Sequence, residues 1–280
     1  FAKPIEFRSW TRDPVLVDKF VNELTSIPGL RYLHFLGGET LYDPAFYDIC
    51  ERLVESGLSK SIIVGTTTNG TIYNSRVEKL IGEFKQFHLG ISIESVTALN
   101  DYVRYPSDIS TVLSNIDKFL ELRNTSDLYI SLRITPNVFT ASKLDTLFEY
   151  MIQKNVIAES CNILHTPAEL QIELMPDDIR ASTQEKLKTL IEKYQLEKSN
   201  IVNVRRADLI PDVVANVVLE YKRFIDTYTT PDNVEDLRHN LVQYIKSFEQ
   251  IRNNSISFCP GHKRSTFFAN QPLIAVNPHN

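Results

Sequence analysis

From about Leu16 to Leu164 the chain alternates segments of helical period with short apolar runs, and this restricts the fold more than any other feature of its 280 residues. Strands separated by helices cannot pair as hairpins. They need crossover connections, and so they imply a parallel sheet. The first helix is predicted over 14–24, with Leu16, Phe20, Val21 and Leu24 on one face and Ile27-Pro28-Gly29 as its stop. A strand over 32–36 follows and ends in Gly37-Gly38. Asp43 then caps a helix with Pro44 at its first position; Phe46, Ile49, Cys50 and Leu53 form its buried stripe, and Gly57 closes it.

The unit recurs. Strands are expected over 61–66, 87–93, 128–134 and 161–164. Between them lie helices carrying Val77, Leu80, Ile81 and Phe84, then Val112, Ile116, Phe119 and Leu120, then Leu144, Leu147, Phe148 and Met151. Beyond His165 the pattern becomes mainly helical. Pro176 opens a helix with Ile179, Leu187, Leu190 and Ile191 inward, Pro211 one with Val214, Val217, Val218 and Tyr221, and Pro231 one with Leu237, Leu241, Phe248 and Ile251. The expected organisation is an α/β core over 1–166 and a mainly helical region over 167–280.

Ligands of parallel α/β sheets and barrels bind beyond the carboxyl ends of the strands. The residues at those ends are Gly37-Gly38-Glu39-Thr40, Thr67-Thr68-Asn69-Gly70, Ser92-Ile93-Glu94-Ser95, Arg133 with Thr135, and Asn162. Adjacent glycines leave peptide groups uncovered. Glu39 and Glu94 can accept hydrogen bonds from an ammonium group or ribose hydroxyls, and Arg133 can pair with a carboxylate through its planar fork. Each has a plainer reading. Gly37-Gly38 and Asn69-Gly70 are ordinary turn dipeptides, Ser92 and Glu94 share one strand face, and a structural carboxylate would satisfy Arg133. Their joint occurrence on successive strand ends favours a site.

Those segments resemble a known family. "LHFLGGETL" is similar to the second-strand segment of radical S-adenosylmethionine (SAM) enzymes, and "TTTNG" to the third-strand end of the same fold. "LGISIESVTALNDYVRYPSDISTVLSNIDKFLEL" resembles the fourth strand and following helix of twitch-domain radical SAM proteins of bacteria and phages. "NILHTPAELQIELMPDDIR" resembles the segment after the sixth strand in that group. The resemblance implies a partial (β/α)6 TIM-like barrel, here strands two to six without the first. It also implies that Gly37, Gly38 and Glu39 meet the methionyl end of SAM and that Ser92 and Glu94 face its ribose, with Asn69 and Arg133 as further contacts. Members hold a 4Fe-4S cluster through C-x-x-x-C-x-x-C after the first strand, and they cleave SAM reductively to a 5′-deoxyadenosyl radical. On the resemblance those cluster ligands are expected before Phe1.

The three cysteines lie far apart, and none is expected to ligate a metal. Cys50 falls on a buried helical stripe, Cys161 in the last strand, and Cys259-Pro260-Gly261-His262 reads as a loop thiol. His34 is expected to face the barrel interior as a satisfied histidine. Sparse cysteines fit a reducing compartment and hence a cytoplasmic protein. A net charge of −5 argues against a nucleic-acid-coating surface, and no run approaches the ~20 apolar residues of a membrane span. The resemblance implies a peptide or protein substrate and an electron donor such as flavodoxin or ferredoxin. Two other readings stand beside it: a degenerate, non-catalytic scaffold for peptide or protein binding, and an unrelated barrel enzyme using Glu39 and Glu94 as acid and base.

Overall fold

The computed structural model describes residues 10–199 and 210–256. The α/β alternation is present. Helix α1 (Pro14–Ser26) starts at Asp13, whose carboxylate accepts from the Val15 and Leu16 N–H groups. Its buried face is Val17, Val21 and Leu24, so the stripe is turned one residue from expectation: Leu16 is 44% exposed and Val17 only 4%. Strand β1 (Tyr32–Phe35) leads through the glycine pair to α2 (Pro44–Glu55), which Asp43 caps as predicted. The elements β2 (Ile63–Thr68), α3 (Ser75–Glu83), β3 (Gln86–Ser92), α4 (Leu99–Val103), α5 (Ile109–Leu122), β4 (Leu128–Ile134), α6 (Leu144–Lys154) and β5 (Ile157–Cys161) follow.

The strands form one five-stranded sheet in the order β1-β2-β3-β4-β5, and the first three pairings are parallel ladders. Two strands are placed differently from the sequence reading. The second runs on to Thr68, because its ladder continues through Thr67↔Gly90 and Thr68↔Ile91. The fifth starts at Ile157 rather than Cys161, because Asn155 adopts φ 52° and ends α6 there, releasing the buried run Val156-Ile157-Ala158 to extend.

Two compact units divide the chain, the first comprising the described residues up to Ile93 with Ser107–Arg133, the second Glu94–Pro106 and the described residues from Ile134 onward. In the first, one sheet face is apolar and buried: Val64, Phe87, Leu89, Ile91, Leu128, Ile130 and Leu132. Helix α5 closes on it, since a Cβ on Gly70 would lie 2.9 Å from Ile91 and 3.1 Å from Val112. The second unit holds α4, α6, β5 and three further helices, α7 (Asp177–Tyr194), α8 (Ile210–Thr227) and α9 (Val234–Ile256), as the expected helical region. Leu99, Val138, Phe139, Leu174, Leu241 and Ile245 form a buried cluster there. The side chains of Pro211 and Ile251, and all of Cys259-Pro260-Gly261-His262, lie outside the described residues.

Candidate ligand site at the strand ends

At the exit of β1, Gly37 has φ 111° and Gly38 φ 53°, backbone that L side chains rarely adopt. Beyond each glycine and its two chain neighbours, no heavy atom lies within 4 Å of the position a Cβ would take there. Their peptide groups therefore border open space, a cleft of about 700 Å³ that Arg12, Tyr42, Asp43 and Arg52 also line. Glu39 is held firmly beside them. Its Oε1 accepts from the Thr68 hydroxyl at 2.5 Å and the Leu41 N–H at 3.3 Å, and its Oε2 accepts from the Asn69 N–H at 2.6 Å. The structure thus brings Glu39 and Asn69 together and ties the exits of β1 and β2. The Asn69 side-chain Oδ1 accepts from the N–H and hydroxyl of Thr71 at 2.9 and 2.6 Å. Buried Asn115 of α5 holds the same turn by donating to the Gly70 carbonyl at 3.0 Å.

Ser92 and Arg133 are register partners, so they share the second face of the sheet. Apart from Ile63 and the two glycines Gly65 and Gly90, that face is polar: Tyr32 and His34 on β1, Thr67 on β2, Gln86, His88 and Ser92 on β3, and Tyr129, Ser131 and Arg133 on β4. A parallel sheet covered on both sides reads as continuous apolar runs. This one does not. Two glycines make room for its large side chains. A Cβ on Gly65 would meet His34 Nδ1 at 2.4 Å, and one on Gly90 would meet Arg133 Nε at 2.5 Å. His34 shares a 2.8 Å hydrogen bond with the Tyr32 hydroxyl, and His88 a 2.7 Å bond with Gln86 Oε1. The ring of His88 also packs on Tyr32 and Tyr129, with centroids 5.6 and 4.9 Å away. Sequence reasoning named Thr67 and missed Gly65, His88, Gly90 and Ser131. The signal was there: polar or glycine residues at every second position from Gln86 to Ser92 and from Tyr129 to Arg133.

Glu94 lies in the second unit and is 4% exposed. Its Oε1 accepts from Arg104 Nε and Nη2 at 3.1 and 2.5 Å, and its Oε2 accepts from the Thr135 N–H at 2.7 Å. Its own N–H donates to Asn100 Oδ1 at 3.0 Å. Burial pushes the carboxyl upward in pKa, against the Arg104 charge and the Thr135 N–H. Arg104 stands inside the family-like motif, but nothing local to it singles it out. The N–H of Asn162, the last strand-end candidate, donates to the Ile134 carbonyl at 2.9 Å. Cys161 has its thiol pushed up to about 12, by burial first and then by the Glu94 and Glu220 charges. Burial likewise drives the fully enclosed Cys50 thiol up, so neither is a ready thiolate.

Residues 3–138 match the Radical SAM superfamily. The matched stretch contains Gly37-Gly38-Glu39 and every other candidate from Asn69 to Arg133. No curated protein matches the chain. Among solved structures it is similar to native anSMEcpe with bound AdoMet and Cp18Cys peptide, at 18% identity and a TM-score of 0.47, over 66% of this chain and 52% of that one. It is also similar to hexahistidine-tagged anSMEcpe with bound AdoMet, at 17% identity and a TM-score of 0.48, over 66% and 49%. The chain spans about half the length of those structures. Bare peptide groups at Gly37 and Gly38 beside a fixed carboxylate suit the aminoacyl end of SAM. A 4Fe-4S cluster is not matched by the described residues: no three His, Cys, Asp or Glu side chains among them group as metal ligands. No described helix is long and apolar enough to cross a membrane.

Proposed function

We propose that this chain binds S-adenosylmethionine at the strand exits of its first unit and is part of a radical SAM enzyme. The observation that carries the reading is the Gly37-Gly38 turn, whose positive-φ backbone opens on a cleft within the superfamily match. Gly37 and Gly38 offer peptide carbonyls to the methionyl amine. Glu39, pinned by Thr68 and Asn69, keeps that turn in place and sets a negative charge beside it. Ser92 supplies a hydroxyl for the ribose, and Arg133, laid along the sheet face over Gly90, supplies the cation for a carboxylate. For Glu94 the proposal is a carboxylate whose ionised form Arg104 and Thr135 favour against its burial, with acceptor capacity for a hydroxyl donor.

Bound SAM, on one-electron reduction, supplies a carbon-centred radical for hydrogen abstraction. The cluster that delivers the electron is proposed to be held by cysteines outside the described residues, and flavodoxin or ferredoxin to feed it. The substrate class proposed is a peptide, the protein cytoplasmic, and the C-terminal region of the twitch type. Calorimetric titration of the full-length protein with SAM, alongside a Gly38→Val variant, tests the binding. The reading expects saturable binding that the variant abolishes, and equal binding by both proteins sinks it. Iron and sulfide analysis of anaerobic protein with a 5′-deoxyadenosine assay tests the chemistry. SAM binding without iron or cleavage would establish the non-catalytic scaffold instead.

A further inference from the structure

The superfamily match ends at residue 138, yet the geometry points to Arg252, near the end of α9, as a positioning residue for the Arg104–Glu94 pair. This inference goes beyond the SAM reading and does not depend on it. All the groups involved lie in the second unit.

Arg104 follows α4, a helix of five residues. A helix so short has too few internal hydrogen bonds to hold its own shape in water and must be held from outside. Helix α9 does this at two places. Its Leu241 and Ile245 share the buried cluster with Leu99, at the start of α4. Its last turns carry Phe248 and Arg252, four residues apart and therefore on one face. The Arg252 guanidinium carbon lies 3.9 Å from the Phe248 ring centroid, 4.5 Å from that of Tyr102 and 4.9 Å from that of Tyr105. Its Nη2 also donates to the Tyr102 carbonyl.

Tyr102 and Tyr105 bracket Arg104 in the chain. One cation therefore grips the backbone before Arg104 and the ring after it. Between the two grips the Arg104 side chain reaches Glu94 with two N–H donors. A planar guanidinium can stack on several rings while its edge donates a hydrogen bond, which a lysine ammonium does not reproduce. The charged and titratable groups that act on Glu94 are Arg104, across from it, and Cys161 at the end of β5. Loosening the Tyr102–Tyr105 turn draws away the cation that offsets the burial of the carboxylate.

The test uses full-length protein labelled with ¹³C at glutamate carboxyls, with Glu94→Gln to assign the resonance. Arg252→Ala is expected to raise the proton affinity of Glu94 about tenfold, one pKa unit, and Arg252→Lys to give an intermediate shift. Tyr105→Leu, at a ring already 36% exposed, should move the resonance in the same direction and guards against misfolding of the arginine variant. Leu241→Ala loosens the same helix through its core. It is expected to lower the unfolding temperature while shifting the Glu94 titration much less than Arg252→Ala does. If Arg252→Ala leaves the titration unmoved, or if Leu241→Ala shifts it equally, α9 is only a structural cover and the inference falls.

Discussion

The side chain of Arg133 occupies the space that a Cβ on Gly90 would need, with Nε 2.5 Å and Cδ 3.1 Å from that position. Gly90→Ala must therefore lift the arginine off the sheet face. On stability two effects of ~1 kcal/mol oppose each other, the gain of leaving glycine and the cost of the close contact, so the unfolding midpoint should move little. On the proposal that Arg133 pairs with a carboxylate of SAM, SAM affinity should fall about tenfold, as expected for one charge-assisted contact. Calorimetry on Gly90→Ala, Arg133→Ala and the double variant checks this. The double variant should bind no worse than Arg133→Ala alone, and additive losses would show that the two positions act separately.

Glu39 joins two strand exits through a carboxylate that accepts on both oxygens. Glu39→Gln keeps the shape but replaces one acceptor with an NH2 group facing a donor. With the group only partly buried, a loss of about 1–3 kcal/mol is expected in urea denaturation. The same variant should weaken SAM binding. Thr68→Val leaves the Glu39 charge in place but removes the hydroxyl that donates to it and that accepts from the Gly70 N–H at 3.1 Å. It should cost a similar ~1–3 kcal/mol in stability while weakening SAM binding less than Glu39→Gln, and equal losses of binding in the two variants would contradict this reading of the network.

Glu94 holds its proton more tightly in the folded protein than in the unfolded chain, because burial outweighs Arg104 and Thr135. Its contribution to stability is therefore greatest below the unfolded carboxyl value of about 4.3, and it is lost as pH rises through the higher folded value. Arg104→Ala removes the principal opposing charge and moves the folded value further up. The stability deficit of this variant against the parent should then widen between roughly pH 4 and 7. Urea unfolding across that range measures it. A deficit of the same size at every pH would mean that Arg104 acts by packing and not by charge.

Arg180 of α7 closes the end of α8. It donates to the carbonyls of Ile225, Asp226 and Tyr228 at 2.9, 3.0 and 3.1 Å, and its guanidinium carbon sits 3.9 Å from the Tyr228 ring centroid. Arg180→Ala leaves those carbonyls to water and should destabilise the protein by about 2 kcal/mol in chemical denaturation. Arg180→Lys keeps the charge but not the fork, so it should recover less than half of the loss. Full recovery would assign the effect to charge alone.

The elements themselves were legible in the sequence because their causes are local. Asp13-Pro14 and Asp43-Pro44 start helices where they stand in the chain, the stripe through Phe46, Cys50 and Leu53 buries a helix face, and Gly37-Gly38 marks a turn without reference to any distant residue. Ser92 and Arg133 were visible as strand-end polar groups for the same reason. Their neighbours were not. Which strand lies beside which, and in what register, depends on closing connections of tens of residues and on which buried faces fit together. Only tertiary structure decided that Glu39 takes its hydrogen bonds from Thr68 and Asn69, that Gly90 makes room for Arg133, and that Glu94 pairs with Arg104 across a turn gripped by Arg252. Periodicity tells which side chains share a face. It carries no information on the partner that a charged or polar group will meet across the sheet or from a helix 150 residues away along the chain.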